Sequence, residues 1–384
     1  MVVGRPTVYD VAERAGVSIA TVSFAFRRPD KVRTETRDMV LRVARELGYV
    51  PSGSARNLAR GRTGVLGLHL FDLLVESAPP VETGLNAGGD PAGSTTPPGL
   101  TDLAELDLDV DLISWDAEED VRRSAPRTFP LYVDEIQRGF VLECKRAGTA
   151  VLLSTGGLGA SEIADTAGQV DGLAILPGPT VTASLGSVSS TLPVAVLSSP
   201  LGDAHHVLAD NAGGERMLVE HFVEIHGVST FGWIDAPAGF DTDERRTAFF
   251  DAVASHPGAS AEIIDTVELE RAPVFPGLSA RAGAGSLPEA VLCATDQIAL
   301  AALDVLHARG VAVPRDVRLA GFDGIQAAGM SSPPLTTVRQ PMELMGRIAA
   351  HLLLNDPGDG SARRSVRVEV GLRVGGSCGC AVSP

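Results

Sequence analysis

The chain has 384 residues, a hydrophobic content of 44% and a net charge of −16. This length exceeds one ordinary domain and supplies an adequate apolar core, which excludes a single small domain. No apolar run reaches the roughly 18 residues of a membrane span, and the N-terminus has no export signal, so we expect a cytoplasmic protein with no membrane partner.

The charge is distributed unevenly along the chain. Residues 1–64 contain 12 basic and 6 acidic side chains, a net charge of +6, whereas the remaining residues contain 20 and 42, a net charge of −22. A basic segment neutralises phosphate and an acidic body discourages nonspecific contact with a duplex, so this pattern favours DNA binding through the N-terminus. A short basic helical segment can also be only a solvated surface, and the spacing of its residues decides between the two interpretations.

Residues 7–47 have the spacing of a helix-turn-helix followed by a third helix. The first helix is predicted over 8–15, Gly16 suits a turn with positive φ, and Ser18 suits the N-cap of a second helix over 18–26. The third helix is predicted from about residue 34 to 47. The apolar residues predicted to pack together are Val8, Val11, Ala12, Ala15, Val17, Val22, Val40, Leu41, Ala44 and Leu47.

The second helix is the predicted reader of a major groove. It offers its residues in two sets: Ile19, Ala20, Thr21, Ser23 and Phe24 toward base edges, and Ser18, Thr21, Ser23, Arg27 and Arg28 toward phosphates. Ile19, Ala20 and Phe24 can contact a thymine methyl group but cannot form the bidentate hydrogen bonds that distinguish G or A. Specificity would then depend on Thr21, a hinge and DNA shape. Alternatively, Phe24 packs into the headpiece.

The runs TVYDVAERAGVSIATVS and VRTETRDMVLRVARELGYVPSGSARNLARGRTG resemble the LacI/GalR (lactose-repressor) family of bacterial transcription regulators. The resemblance resumes at DNAGGERMLVEHF, ATDQIALAALDVLHARGVAVPRDVRLAGFDG and PPLTTVRQP, so it covers most of the chain. It implies an all-α helix-turn-helix headpiece over 1–50, a hinge helix and linker over 51–63, and a two-lobed α/β periplasmic-binding-protein-like effector domain with Rossmann-like parallel sheets over 64–384. It also implies a homodimeric repressor that binds a pseudo-palindromic double-stranded DNA operator.

The resemblance extends the set of predicted DNA contacts into the hinge. In the family a hinge leucine enters the minor groove, and Leu58 stands at that position, with Ala55 small enough to let two hinge helices approach. A helix this short is unstable alone, so we expect it to fold on DNA. Alternatively, Leu58 packs on its own domain. The full set of predicted contacts is Thr7, Tyr9, Ser18, Ile19, Ala20, Thr21, Ser23, Phe24, Arg27, Thr36, Ser52, Ala55 and Leu58.

From Thr149 onward, apolar runs alternate with helical stretches, which predicts parallel sheets covered on both faces. The runs are AVLLST, DGLAIL, PVAVLS, STFGWI, AVLCAT and VRLAGF. Open α/β sheets bind ligands at the carboxyl ends of their strands, so we expect a ligand cleft there.

The resemblance places a small-molecule effector in this cleft, most commonly a sugar. Arg246 matches the family arginine that binds ligand hydroxyls, and Asp296 matches its acidic partner, since a carboxylate accepts from paired hydroxyls and a guanidinium donates in a fork. Ser198, Phe322 and Asp323 complete the predicted effector set. Alternatively, Asp296 is only the N-cap of the helix that follows it, and Arg246 is a solvated surface charge.

Residues 72–129 form an apparent insertion relative to the family pattern. Its first half is rich in Gly, Pro, Ser and Thr, and residues 101–120 contain 9 acids and no base. An alternation of Leu and Asp there also fits an edge strand. The segment is therefore either disordered, or an acidic lid or a strand that docks a partner.

Enzymatic signatures are weak in this sequence. The run from Gly156 to Ser161 approaches a dinucleotide fingerprint but has Glu162 where the third glycine belongs, and no Walker, HExxH or GxSxG motif occurs. His205 and His206 are predicted on a surface turn. The four cysteines lack paired zinc spacing, although the terminal CGC is a weak metal or redox hint. We therefore expect no enzyme, cofactor or metal, and the rival function is a stand-alone sugar-binding protein.

Overall fold

The computed structural model describes residues 6–27, 31–47, 63–71, 132–156, 160–177, 189, 191–267, 275–358 and 363–381. Two units are distinguished, Met1–Gly64 and Val65–Pro384. Among the residues described, none of the helices combines the length and the apolar character needed to cross a membrane.

The N-terminal unit contains the three predicted helices, α1 (Val8–Ala15), α2 (Ile19–Arg27) and α3 (Thr34–Leu47). A capping box begins α1, in which the Thr7 side chain and the Asp10 carboxylate bond each other's backbone N–H. Gly16 ends the helix in the left-handed region at a φ of 63°, where glycine is favoured, so the predicted turn is confirmed.

One apolar cluster holds the three helices together. Its buried members are Val11, Ala12, Ala15, Val22, Ala25, Val40, Val43 and Ala44. The prediction of Leu41 as a core residue is wrong, because the buried stripe of α3 follows positions 40, 43 and 44 with Leu47 packed against it, and leaves Leu41 half-buried outside the cluster.

The second unit contains two parallel sheets. Its strands are β1 (Val65–Phe71), β2 (Ala150–Gly156), β3 (Leu173–Leu176), β4 (Val194–Leu197), β5 (His205–Ala209), β6 (Thr230–Asp235), β7 (Ser260–Thr266), β8 (Ala290–Cys293), β9 (Arg318–Asp323), β10 (Thr336–Arg339), β11 (Ser365–Val368) and β12 (Gly371–Arg373). The first sheet has the order β11-β5-β4-β3-β1-β2 and the second β12-β10-β9-β8-β6-β7. Only β12 pairs antiparallel among the pairings described, so the prediction of parallel sheets is confirmed.

Helices cover both sheets. They are α4 (Val133–Arg146), α5 (Ala160–Ala167), α6 (Asn211–His226), α7 (Phe240–Ala254), α8 (Pro276–Ala284), α9 (Asp296–Ala308), α10 (Gln326–Met330) and α11 (Met342–Leu354). The chain passes between the sheets after β5, after β10 and after β11, which produces two lobes. Helices α4 and α11 pack closely at reciprocal glycines, because a Cβ at Gly139 would overlap the Glu343 carbonyl and one at Gly346 that of Ile136.

Two local predictions need correction. His205 and His206 lie in β5 rather than on a turn, and His205 is buried because its Nε2 donates to Asp356 Oδ2 at 2.7 Å. Asp296 is the first residue of α9 but not its cap. The N-cap is Thr295, whose side chain accepts from the Ile298 N–H. The Asp296 carboxylate is thereby free for other contacts.

Candidate functional site

A buried polar cluster lies where the strands of the second sheet end. Strand β9 ends at Asp323, and β8 is followed by Ala294 and then by Asp296 at the start of α9. The helices α6 and α7 also begin there, so their free N–H groups face the same edge. This edge is where open α/β sheets bind ligands.

Arg245 is at the centre of the cluster. It is only 3% exposed, and its Nη1 lies 2.8 Å from the Ala294 carbonyl oxygen and 3.1 Å from Asp323 Oδ1. Its Nε donates to Asn211 Oδ1 at 3.0 Å, and its guanidinium carbon lies 3.9 Å from the centre of the Phe322 ring. Stacking and hydrogen bonding together fix this guanidinium in one orientation.

Asn211 links the arginine to further acids. Its Nδ2 donates to Asp241 Oδ1 at 2.9 Å and to Glu244 Oε2 at 2.8 Å, while its Oδ1 accepts from Arg245. Arg367, in β11 of the first sheet, also donates to Glu244 Oε1 at 2.9 Å. A residue of each lobe therefore takes part in one hydrogen-bond network.

Acids outnumber bases in this cluster. The Gln340 amide donates to Asp323 Oδ1 at 2.7 Å, and the Ile325 N–H donates to Asp296 Oδ2 at 2.9 Å. Burial, followed by the nearby Asp323, raises the pKa of Asp296 to about 8, and burial raises the pKa of Glu215 to about 8. Among the residues that the structure describes, both carboxyl oxygens of Glu215 and Oδ1 of Asp296 are buried without a hydrogen-bond partner. Such buried groups are costly, and acids with strongly raised pKa values cluster at functional sites.

Backbone strain occurs at two of the predicted effector residues. Ser198 has a φ of 59° and Asp323 a φ of 115°, both positive, which is unfavourable for residues other than glycine. Each such residue costs of the order of 1–3 kcal/mol and persists only where surrounding contacts hold it. One strained residue, Asp323, ends a strand of the second sheet, and the other, Ser198, directly follows a strand of the first sheet.

Further ion pairs connect the two lobes beside the cluster. Arg339, at the end of β10, donates to Glu135 of α4 at 3.0 Å, and Arg367 of β11 donates to Glu244 of α7 at 2.9 Å. Tyr132 lies next to the start of α4. Burial raises the pKa of its hydroxyl, and the nearby carboxylate of Asp323 raises it further. The lobes are thus closed on each other at this edge.

The geometry brings together four of the five predicted effector residues, Ser198, Asp296, Phe322 and Asp323, but not Arg246. Arg246 has a side chain 38% exposed, and it pairs with Asp235 and Asp243 at 2.8 Å each. Its neighbour Arg245, which is not among the residues predicted from sequence, occupies the buried position. The signal that identifies Arg245 is the stripe it forms with the buried residues Phe249, Ala252 and Val253, at helical spacing.

The apolar residues predicted to read DNA are on the headpiece surface. Phe24 is 44% exposed, Ile19 is 43% exposed, and Ala20 and Tyr9 are exposed as well. Phe24 therefore does not pack into the headpiece. Phe26 packs against the apolar cluster instead. Exposed apolar side chains on one helix are available to thymine methyl groups.

The polar residues predicted to contact DNA also have defined positions. They are exposed or half-buried, and they are Thr7, Ser18, Thr21, Ser23 and Thr36. The Ser18 hydroxyl accepts from the Thr21 N–H at 3.1 Å and lies 2.9 Å from the Thr21 hydroxyl, so the predicted start of α2 is confirmed.

Several predicted positions lie outside the described residues. These are the Arg27 side chain, the hinge residues Ser52, Ala55 and Leu58, and the insertion over 72–129. Their roles stay predictions from sequence.

We expect the Glu215→Gln variant to lose part of the pH dependence of folding. The folded state keeps a proton on Glu215 between its ordinary pKa of 4.5 and about 8, whereas the unfolded state releases it. The free energy of unfolding therefore falls as the pH rises through this window, and an uncharged isostere removes that contribution. Thermal unfolding at several pH values measures it, with Glu224→Gln on the exposed face of α6 as control. Equal slopes in both variants would contradict the assignment.

Two family models match the chain. Residues 7–52 match the family described as bacterial regulatory proteins, lacI family, and residues 219–378 match a periplasmic binding protein-like domain. The HTH-type transcriptional regulator CelR of Thermobifida fusca is 30% identical, over 91% of this chain and 92% of CelR. The ribose operon repressor of Halalkalibacterium halodurans is 25% identical, over 91% and 89% of the two chains.

Solved structures have the same architecture. The Lac repressor dimer bound to operator and the anti-inducer ONPF has a TM-score of 0.70 at 19% identity, over 98% of this chain and 99% of the repressor. The complex of the regulator CelR with cellobiose has a TM-score of 0.58 at 25% identity, over 97% and 100%. These matches confirm the predicted fold class, a helix-turn-helix unit followed by a two-sheet α/β domain similar to periplasmic binding proteins.

Proposed function

Because this chain belongs to the LacI family of bacterial regulatory proteins, we propose that it is a homodimeric repressor whose affinity for a DNA operator is controlled by a neutral sugar. DNA-binding transcriptional regulation is the function of that family. The effector, the operator and the mode of switching are our proposals for this chain. The observation that carries them is the buried cluster around Arg245 that joins both lobes.

The cluster favours a ligand that donates hydrogen bonds. Arg245 is its buried base and faces two carboxylates, Asp323 and the half-buried Asp241, so acceptors are in excess even though burial keeps Glu215 and Asp296 largely protonated near neutral pH. An anionic ligand would add to this negative charge, whereas the hydroxyl groups of a sugar would donate to the carboxylates and accept from the guanidinium. Two similar proteins support a sugar as the effector: one is named the ribose operon repressor, and the other, CelR, has a solved structure with cellobiose.

The same cluster provides a route for regulation. A sugar bound among residues of both lobes would favour one arrangement of the lobes over another, and only this difference in affinity can shift the equilibrium. We propose that the shift changes the spacing of the two hinges in the dimer. Residues 1–50 would then be the DNA-binding headpiece, 51–63 the hinge, and 64–384 the domain for effector binding and dimerisation.

We propose that the protein acts in the cytoplasm and catalyses no reaction. A stand-alone sugar-binding protein would have no use for a helix-turn-helix with an exposed reading helix. We propose that DNA is contacted by the headpiece surface residues described above and by the hinge residues Ser52, Ala55 and Leu58.

Selection of duplexes from a random-sequence pool by the full-length protein tests the proposed DNA target. We expect enrichment of a two-fold pseudo-palindrome, because two headpieces of a dimer contact half-sites related by symmetry. A single unpaired half-site would contradict the dimer, and salt-sensitive binding without enrichment would contradict sequence specificity.

We expect Phe24→Ala to lower affinity for the selected duplex by about 10-fold, because the lost apolar contact is worth roughly 1–2 kcal/mol. The dependence on salt should not change, since Phe24 neutralises no phosphate. Fluorescence anisotropy at several salt concentrations measures both. The control is Ile225→Ala, which removes an exposed apolar side chain from α6. Unchanged affinity of the Phe24 variant would remove this residue from the reading surface.

A further inference from the structure

A second side-chain cluster lies in the second lobe, at the C-terminal end of α6. His221 and His226 belong to the last turns of this helix, and Cys378 and Cys380 belong to the C-terminal segment. The four potential ligand atoms, two imidazole nitrogens and two sulfurs, all lie within 4.8 Å of one another. Cys378 is buried and the other three residues are half-buried.

The distances within this cluster resemble those of a tetrahedral metal site. His221 Nε2 lies 3.5 Å from Cys378 Sγ and 3.8 Å from Cys380 Sγ, and His226 Nε2 lies 3.4 Å from Cys380 Sγ. With zinc bonds of about 2.3 Å to sulfur and 2.0–2.1 Å to nitrogen, a tetrahedron has nitrogen-to-sulfur edges of about 3.6 Å. The three distances lie within about 0.2 Å of that value, so a cation fits with little rearrangement.

Contacts other than those between the four ligand atoms hold both elements that carry these side chains. Helix α6 ends at Gly227, which directly follows His226 and has a φ of 66°. In the C-terminal segment, the Ser377 hydroxyl donates to the Leu319 carbonyl at 2.6 Å, and Arg318 Nε donates to the Cys378 carbonyl at 3.0 Å. The cluster is therefore preorganised by contacts that do not involve the ligand atoms.

This cluster is separate from the effector cluster. Arg318 begins β9 and Asp323 ends it, so the two clusters lie at opposite ends of a strand that is about 17 Å long at about 3.3 Å per residue. None of the residues proposed to bind a sugar belongs to the cysteine and histidine cluster.

We propose that His221, His226, Cys378 and Cys380 bind one Zn²⁺ ion that fastens the C-terminal segment to helix α6. Two thiolates and two imidazoles are a preferred ligand set for zinc. Because four protein ligands complete the tetrahedron and leave no open position, the role is structural rather than catalytic. The half-exposed side chains of the cluster provide a path for the ion to enter.

Metal analysis of the full-length protein, purified under reducing conditions, tests this proposal. We expect one equivalent of zinc per chain by inductively coupled plasma mass spectrometry. Replacement by Co²⁺ should give the visible bands of tetrahedral cobalt together with thiolate charge transfer. Cys380→Ser, at a half-exposed position that tolerates a polar group, should weaken zinc binding by more than about 100-fold, because even outer-shell changes cost 10–100-fold.

Matched variants separate the site from general effects of mutation. His351→Gln, at an exposed position on α11, and Cys144→Ala, in α4, should both retain zinc and the cobalt spectrum. His226→Gln should lose zinc affinity as Cys380→Ser does. Wild-type protein without zinc affinity, a cobalt spectrum without thiolate charge transfer, or thiol titration showing a Cys378–Cys380 disulfide in place of the metal would each overturn the proposal.

Discussion

We expect the Arg245→Ala variant to bind the operator but to lose the change in operator affinity that sugar causes. Arg245 is buried, and it is the base that the cluster of acids surrounds. Losing a hydrogen bond from a charged donor to a ligand hydroxyl costs roughly 1.5–3 kcal/mol, so sugar affinity should fall by about 10- to 150-fold. Isothermal titration calorimetry measures that affinity, and fluorescence anisotropy measures operator binding with and without the sugar.

Arg246→Ala is the matched control, because it removes the same side chain one position along α7. Arg246 is half-exposed, and it pairs with the buried Asp235 and with the half-exposed Asp243 instead of with the residues of the Arg245 cluster. Its sugar response should be close to that of the wild type. If the Ala variant of Arg245 fails to fold, Arg245→Lys keeps the charge without the planar fork and should still weaken sugar binding. A normal response in the Arg245 variants, with a lost response in Arg246→Ala, would move the ligand to Arg246.

The second large effect is expected from Leu58→Ala in the hinge. An apolar wedge unstacks a base step and kinks the duplex, at a cost of about a few kcal/mol that is offset by wider contact with the protein. Removing the wedge should reduce discrimination between the selected operator and random DNA by at least about 10-fold, which corresponds to 1.4 kcal/mol. The nonspecific, salt-dependent affinity should persist, because phosphate contacts supply it.

Leu58→Met distinguishes a wedge from a specific leucine contact. Methionine is among the side chains that intercalate between base steps, so this variant should retain most of the discrimination. Competition binding with operator and random duplexes provides the measurement. Equal discrimination by the wild type and Leu58→Ala would show that the hinge reads no sequence through this residue.

The helices of the headpiece could be predicted from sequence because local rules determine them. Gly16 is needed for a turn of positive φ, and the Ser18 hydroxyl begins the second helix within three residues of its partner. The exception is Val43, which takes the core position predicted for Leu41. Both residues are apolar, and only packing against the other helices selects the face.

The positions of the buried cluster could be predicted in part. Asp323 and Phe322 lie at the carboxyl end of a strand, as expected, since parallel strands present these ends at one edge. Arg245 and Arg246 are adjacent in sequence but about 100° apart around the helix, so a shift of one residue exchanges a buried side chain for an exposed one. Only the buried face marked by Phe249 decides between them.

Contacts between residues far apart in the chain could not be predicted from the sequence. His205 and His206 stand in a polar stretch typical of a turn, but His205 is buried because Asp356 accepts a hydrogen bond from it. Similarly, the CGC sequence has no zinc spacing of its own, and its partners on α6 become visible only once the chain is folded. Local patterns carry no information about such pairs.

Control of operator binding by a sugar can be measured in one titration. Full-length protein is bound to its selected pseudo-palindromic duplex, and operator affinity is measured by anisotropy with each of a panel of neutral mono- and disaccharides and of anionic metabolites. We predict that at least one neutral sugar changes the affinity by about 5- to 150-fold, the usual range of allosteric coupling. A response only to anionic compounds, or to none, would contradict the account.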